Sequence, residues 1–202
     1  PQQAALTSMT GSGTNTLVLT GTIAEINAVL QGLSYSNPLN FNGTDTLTIV
    51  TNDNGNTGAG GPLSDTDTIN LVVSPVNDAP VNTVPVAQNV AEDDVLTFSA
   101  GNGNAVRVSD VDVTEGTGIL SVTVGVSNGT LTLSGTTGLT FSSGDGSADA
   151  TMTFTGTAAD INAALEGMTF HPVPDYNGPA LLSLTTNDGG NAGTGGNISL
   201  YT

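Results

Sequence analysis

The chain has 202 residues, and its 18 acidic side chains face a single basic one, Arg107, for a formal net charge of −17. With no Cys and no Lys, disulfides, thiolate chemistry, Cys-based metal sites and lysine nucleophiles are excluded. Nucleic acid and anionic membrane surfaces are disfavoured as partners, because both are recognised by clustered Lys and Arg.

In chain order, the first elements are short alternating segments. Thr16-Leu17-Val18-Leu19 reads as a strand. It is followed by Thr22-x-x-Glu25, a capping box that opens a helix with Ile26, Leu30 and Leu33 on one face and Gly32 at its stop. Leu47-Thr48-Ile49-Val50 and the Ile69, Leu71, Val73 series show period-two patterning. Asp65-x-Asp67 between them is expected to be a solvated loop.

Pro75-Val76-Asn77-Asp78-Ala79-Pro80 brackets a polar pair with prolines, which suits a short, stiff, extended linker. Strands are then expected over 95–99, 104–109, 118–127, 130–134 and 139–142, with Asn128-Gly129 as a hairpin turn. Asp145 and Asp149 read as turn residues.

Residues 21–35, GTIAEINAVLQGLSY, return as GTAADINAALEGMTF at 156–170, an offset of 156 − 21 = 135. The same offset carries Asn42-Gly43 onto Asn177-Gly178 and Thr51-Asn52-Asp53 onto Thr186-Asn187-Asp188. Met152 and Phe154 stand for Leu17 and Leu19, Leu182 and Leu184 for Leu47 and Ile49. Thr157-x-x-Asp160 opens the second helix, with Ile161, Leu165 and Met168 on its apolar face and Gly167 at its end. A last strand is expected at Ile198–Tyr201. A repeat of this period is the mark of an array of one folded unit.

The predicted fold is all-β: tandem Ig/cadherin-like antiparallel β-sandwiches with one short helix per repeat, crossing from one sheet to the other. The expected division is 1–76 for a partial repeat, 77–80 for the linker and 81–202 for a full one. By the offset, 81 − 135 = −54, so about 55 residues of the first unit fall before Pro1. We expect a piece of a longer chain, any export signal lying outside it, and an open half-unit that upstream chain or a neighbouring molecule completes.

The acidic residues gather at Asn77-Asp78, Glu92-Asp93-Asp94, Asp110-x-Asp112 and the repeated Asn-Asp at 52–53 and 187–188. Hard oxygen donors at strand ends suit Ca²⁺, which takes six to eight of them in irregular geometry. Against this stands the ordinary use of Asp and Asn as turn and cap formers.

Pro-Val-Asn-Asp-Ala-Pro, Ala91-Glu92-Asp93, Ser109-Asp110-Val111-Asp112 and Asp188, in that order, resemble the linker, early Glu, Asp-x-Asp and later Asp of cadherin repeats. The chain is similar to the cadherin-like tandem repeats of very large bacterial surface adhesins, RTX-type ones included. That resemblance implies a calcium site of Asp110, Asp112 and Asp188 with Asn77 from the linker. It also implies junction ligands at Asp78, Glu92, Asp53 and Asp93, one or two ions in all. The linker carries fewer acidic residues than the cadherin pattern, and the repeat is longer.

Other motifs fail. Asp110–Gly116 begins like an EF-hand loop, but its Gly falls at position seven rather than six. The Gly-rich runs 58–61 and 193–196 neither open a helix nor precede a Lys. The Asn-x-Ser/Thr matches at 42, 128 and 197 are chance in an Asn- and Thr-rich chain. His171 is the one imidazole and reads as structural, so no enzyme is expected.

The expected function is a structural extender of a secreted or surface-anchored bacterial adhesin or extracellular filament, stiffened by Ca²⁺ at domain junctions. Its partners would be neighbouring repeats of the same or another chain. The alternatives are an adhesive module for a glycan or cell-surface protein, with Tyr35, Phe41 and Tyr176 as candidate aromatics, and a filament subunit that accepts a neighbour's strand.

Overall fold

The computed structural model describes residues 6–55, 59–190 and 199–201. The expectations for Gly58, Gly193–Gly196, Asn197 and Ile198 lie outside the described residues. The chain divides into two compact units, Pro1–Leu39 and Asn40–Thr202, and its described elements are β-strands with two short helices.

In the first unit β1 (Ser8–Thr10) pairs antiparallel with β2 (Val18–Thr20). Helix α1 (Ile23–Leu30) follows. The capping box is formed: Thr22 Oγ accepts from the Glu25 N–H at 3.4 Å, and Glu25 Oε2 accepts from the Thr22 N–H at 2.7 Å. No residue of α1 is buried.

The second unit opens with a regular ten-residue hairpin, β3 (Gly43–Asn52) against β4 (Ser64–Val73). Asp65 and Asp67 therefore lie in a strand, opposite Thr51 and Ile49, and not in a loop. Alternation accounts for it: both carboxylates continue the face of Ile69 and Leu71 out to solvent.

Past the 75–80 segment, β5 (Val81–Thr83) pairs with β7 (Arg107–Ser109). A three-stranded antiparallel sheet has the order β6 (Leu96–Phe98), β12 (Met168–Pro172), β9 (Gly129–Thr132). A five-stranded sheet has the order β10 (Thr140–Ser143), β11 (Thr151–Thr157), β8 (Ile119–Val126), β13 (Leu182–Asn187), β14 (Ser199–Tyr201).

One apolar cluster draws on both sheets. Leu120, Val122 and Val124 of β8, Met152 and Phe154 of β11 and Leu184 of β13 join Phe98, Leu131, Met168 and Phe170. These positions alternate along each strand, as a face turned inward requires. Burial of one such large side chain contributes about 1.5–3 kcal/mol.

Helix α2 (Ala158–Leu165) carries the chain from β11 to β12 and buries Ile161, Ala164 and Leu165. Its cap is a shortened version of the first: Thr157 Oγ accepts from the Asp160 N–H at 3.2 Å, and the Thr157 hydroxyl donates to Asp160 Oδ2 at 2.7 Å. Asp, one methylene shorter than Glu, returns its bond to the hydroxyl. Gly167, at φ +90°, ends the helix in a conformation that favours glycine.

Asn162 of α2 closes the outer side of β7. Its Oδ1 accepts from the Val108 N–H at 2.9 Å, and its Nδ2 donates to the Val108 carbonyl at 2.8 Å.

The expected hairpin at Asn128-Gly129 is corrected. β8 and β9 flank that turn but belong to different sheets. Asn128 takes φ 57°, its carbonyl accepts from the Val173 N–H at 3.0 Å, and the chain steps across the core. Gly129 sits where an added Cβ would lie 2.2 Å from the Phe170 ring. The glycine is there for close packing rather than for a two-residue turn.

Candidate functional site

The face of β13 that reads Leu182, Leu184, Thr186 continues past the strand end to Asp188. By period two, the last member of a core-facing series is thus a carboxylate. Thr186 and Asp188 are both fully buried. Asp188 Oδ1 accepts from the Gly190 N–H at 2.9 Å, and Oδ2 accepts from Asn77 Nδ2 at 2.6 Å.

The second arm follows β7. Asp110 Oδ1 accepts from the Asp112 N–H at 2.8 Å, a local Asx turn that folds the two carboxylates toward one side. The Asp112 carboxylate is buried, and its Oδ2 accepts from the Asp78 N–H at 2.5 Å.

The third arm is the 75–80 segment, which is docked rather than free. Asn77 and Pro80 are buried. Just beyond, Asn82 Nδ2 donates to the Leu184 carbonyl at 3.1 Å, and the Thr186 hydroxyl donates to Asn82 Oδ1 at 2.6 Å. Asn82 and Thr186 are absent from the predicted set. The alternation of β13 was the signal that a threonine would be buried there and would need a partner.

Asp110 Oδ2 is the one side-chain oxygen or nitrogen among the described residues that is buried without a hydrogen-bond partner. Burial pushes the Asp110 carboxyl above its ordinary range; the Asp112 N–H opposes this, and the negative charges of Asp188, Asp112 and Asp78 add to it. No basic side chain takes part in these contacts.

Five of the eight predicted ligands thus converge: Asn77, Asp78, Asp110, Asp112 and Asp188. Asp78 does so through its backbone N–H. The other three serve elsewhere. Asp93, at φ 66°, accepts from the Asp175 N–H at 3.1 Å, and Glu92 is exposed.

Asp53 closes the loop between β3 and β4. Its Oδ1 accepts from the Gly55 and Leu63 N–H groups at 2.8 and 2.9 Å, bonds that hold its carboxyl below the ordinary aspartate range. A depressed folded-state pKa adds stability above the unfolded value, and that stability is lost as pH falls through the folded one. The protection of the Leu63 amide against hydrogen exchange is therefore expected to drop below about pH 4. Asp53→Asn should flatten that dependence, and an unchanged profile would refute the assignment.

Among the described residues no three His, Cys, Asp or Glu side chains form a group arranged to hold a metal ion. The calcium site expected of Asp110, Asp112 and Asp188 with Asn77, and the junction ligands expected at Asp78, Glu92, Asp53 and Asp93, are therefore not preformed as metal centres among the described residues. Oxygens of Asp112 and Asp188 are turned to the Asp78 N–H and the Asn77 amide.

Residues 2–59 match a protein family described as the Protein GAMETE EXPRESSED 2 domain. No curated protein and no solved structure matches the chain. The family match overturns the resemblance to cadherin-like repeats of bacterial RTX-type adhesins and, with it, the extender function in such an adhesin or filament. The motifs behind that resemblance are Asp, Asn and Pro at chain turns, residues any β-rich fold places there for backbone reasons.

Proposed function

We propose that the chain is a non-enzymatic β module, displayed extracellularly or at a cell surface, whose acidic pole takes a divalent cation of the Ca²⁺ type. One observation carries the reading: Asp110 Oδ2 is buried and unpartnered beside the carboxylates of Asp112 and Asp188. A buried charge without a partner is strongly unfavourable. A hard cation with oxygen ligands removes that penalty and suits an all-oxygen donor set. Asp110, Asp112 and Asp188 do not form a ready-made metal site; to hold the ion, Asp112 and Asp188 would turn from the Asp78 N–H and the Asn77 amide, and Asn77 would present its amide oxygen instead. The ion supplies charge neutralisation only. The protein residues do the rest, tying the 75–80 segment to the ends of β7 and β13.

We read the five- and three-stranded sheets as the two layers of a sandwich, and the 135-residue offset as a tandem of that unit. The helices support this, since α1 and α2 begin 158 − 23 = 135 residues apart. The family matched by residues 2–59 is named for gamete expression, and on that name we read the chain as part of a gamete-expressed protein. Its partners would be neighbouring repeats, with a glycan or cell-surface protein as a second class.

Isothermal titration with CaCl₂ tests the reading. A saturable isotherm that disappears in Asp110→Asn supports it. The absence of heat at millimolar calcium, the range of extracellular modules, rejects it.

A further inference from the structure

Of the Asn-x-Ser/Thr triplets at 42, 128 and 197, the last lies outside the described residues, and the fold separates the other two. Asn42 is half-buried, and its Nδ2 donates to Glu115 Oε1. Asn128 is exposed. It stands between β8 and β9 at φ 57°, where the chain steps from one sheet to the other. Asn-Gly-Thr at such a surface turn has the pattern that accepts an N-linked glycan in a secreted protein.

The turn is tied down without the Asn128 side chain. Its carbonyl accepts from the Val173 N–H at 3.0 Å. Next to it, the Ser127 N–H donates to the Leu181 carbonyl at 3.0 Å, and Ser127 Oγ accepts from the Leu181 N–H at 2.9 Å. The side-chain amide donates to the Tyr176 hydroxyl at 2.9 Å and to the Pro179 carbonyl at 3.1 Å, while the Tyr176 hydroxyl donates to the same carbonyl at 2.9 Å. A primary amide has two N–H groups. Linkage to a sugar takes one, leaves one for these acceptors, and spares the Tyr176–Pro179 bond. Around the turn, Val173 and Leu181 are 50 % and 72 % exposed, and Tyr176 is half-buried. The C–H faces of the first sugar rings would lie against them and remove apolar surface from water.

We infer that Asn128 is the acceptor of an N-linked glycan. The inference rests on the extracellular display proposed above, because the donor, an oligosaccharide on a lipid pyrophosphate, is met on the secretory route. In the transfer Nδ2 forms a bond to C1 of the first sugar, and the bond from C1 to the pyrophosphate oxygen breaks. The lipid pyrophosphate leaves with that electron pair, and the amide gives up one proton. Thr130 supplies the hydroxyl of the acceptor pattern and in the fold pairs with His171 in the strand that follows. The glycan stands clear of the acidic pole. Ser121 of β8 lies opposite Asn187, beside Asp188, whereas Val126, next to the turn, lies opposite Leu182 at the other end of the same pair of strands.

The test translates the whole chain, fused to a cleavable secretion signal, in the presence of endoplasmic-reticulum microsomes, and follows its mass before and after peptide-N-glycosidase. Thr130→Ala, which breaks the acceptor pattern in place, is expected to lose one glycan relative to the parent. Thr130→Ser keeps the pattern and should keep the glycan. Equal glycan numbers in the parent and Thr130→Ala would overturn the assignment. Amide exchange then compares the glycosylated protein with the same protein made in bacteria. Protection across β8, β9 and β13 should be unchanged, and its loss would show that the fold cannot seat a sugar at Asn128. The fused signal makes the outcome independent of where the chain naturally resides. Calcium titration is done on the unglycosylated protein, so a missing glycan and a missing calcium isotherm are separate results.

Discussion

Calcium at a hundredfold excess over its dissociation constant is expected to raise the melting temperature of the second unit by roughly 5–10 °C. That concentration is worth about 2.7 kcal/mol to a folded state that binds while the unfolded chain does not, and a unit of this size shifts by roughly 2–4 °C per kcal/mol. Two substitutions separate a metal effect from a general salt effect, because their signs differ. Asp188→Asn keeps the shape and removes a buried charge that a cation would ligate, so it loses the calcium response. Asp110→Asn also loses the response, but in chelator it should melt higher than the parent. There it removes the Asp110 oxygen that is buried without a partner among the described side chains and the repulsion from Asp188, Asp112 and Asp78. Scanning calorimetry of the parent and both variants, in calcium and in chelator, reads all six melting temperatures. Equal melting of the parent in both buffers would sink the cation reading, and Asp110→Asn melting lower than the parent in chelator would show that the unpartnered oxygen is not a liability.

The second large effect concerns one position met twice. Ile26 and Ile161 occupy the same place in α1 and α2, 161 − 26 = 135 residues apart. Ile161 is fully buried, and Ile26 is half-buried. Removing a fully buried isoleucine side chain costs about 2–5 kcal/mol, since a cavity is left where neighbours cannot collapse. Ile161→Ala is therefore expected to lower stability by that amount, while Ile26→Ala stays within about 1 kcal/mol. Urea unfolding of the two variants against the parent decides it. Equal losses would mean that the exposed face of α1 is covered in solution.

That contrast also explains what could be read from the sequence. Alternation located β3, β8, β11 and β13, because a strand with one buried face writes its burial in every second letter. Thr22-x-x-Glu25 announced α1 through a specific pair of hydrogen bonds that the structure contains. The path between sheets was not legible. Asn128-Gly129 has the composition of a tight turn, and only the Phe170 ring against Gly129 shows why the chain crosses the core instead.

At the acidic pole, Asp110, Asp112 and Asp188 were visible as letters. Their meeting with Asn77 depends on tertiary placement, and the use of Asp78 through its backbone leaves no mark on the side-chain pattern. Asp53 and Asp188 share a motif and part company in the fold. The first closes a surface loop and the second is fully buried, a difference set by whether a neighbouring strand covers the face. The family resemblance failed for a related reason: short runs of Asp, Asn and Pro report backbone turns before they report ancestry.

Asn162 offers Val108 an acceptor and a donor spaced like those of a peptide group. A side chain thereby impersonates the next strand, and β7 has nothing left to offer a passing chain. Exchanging that amide for leucine would unmask an adhesive border, with oligomers rather than unfolding as the visible outcome. Whether β7 grows sideways is thus decided by a single residue, a decoy that ends its margin.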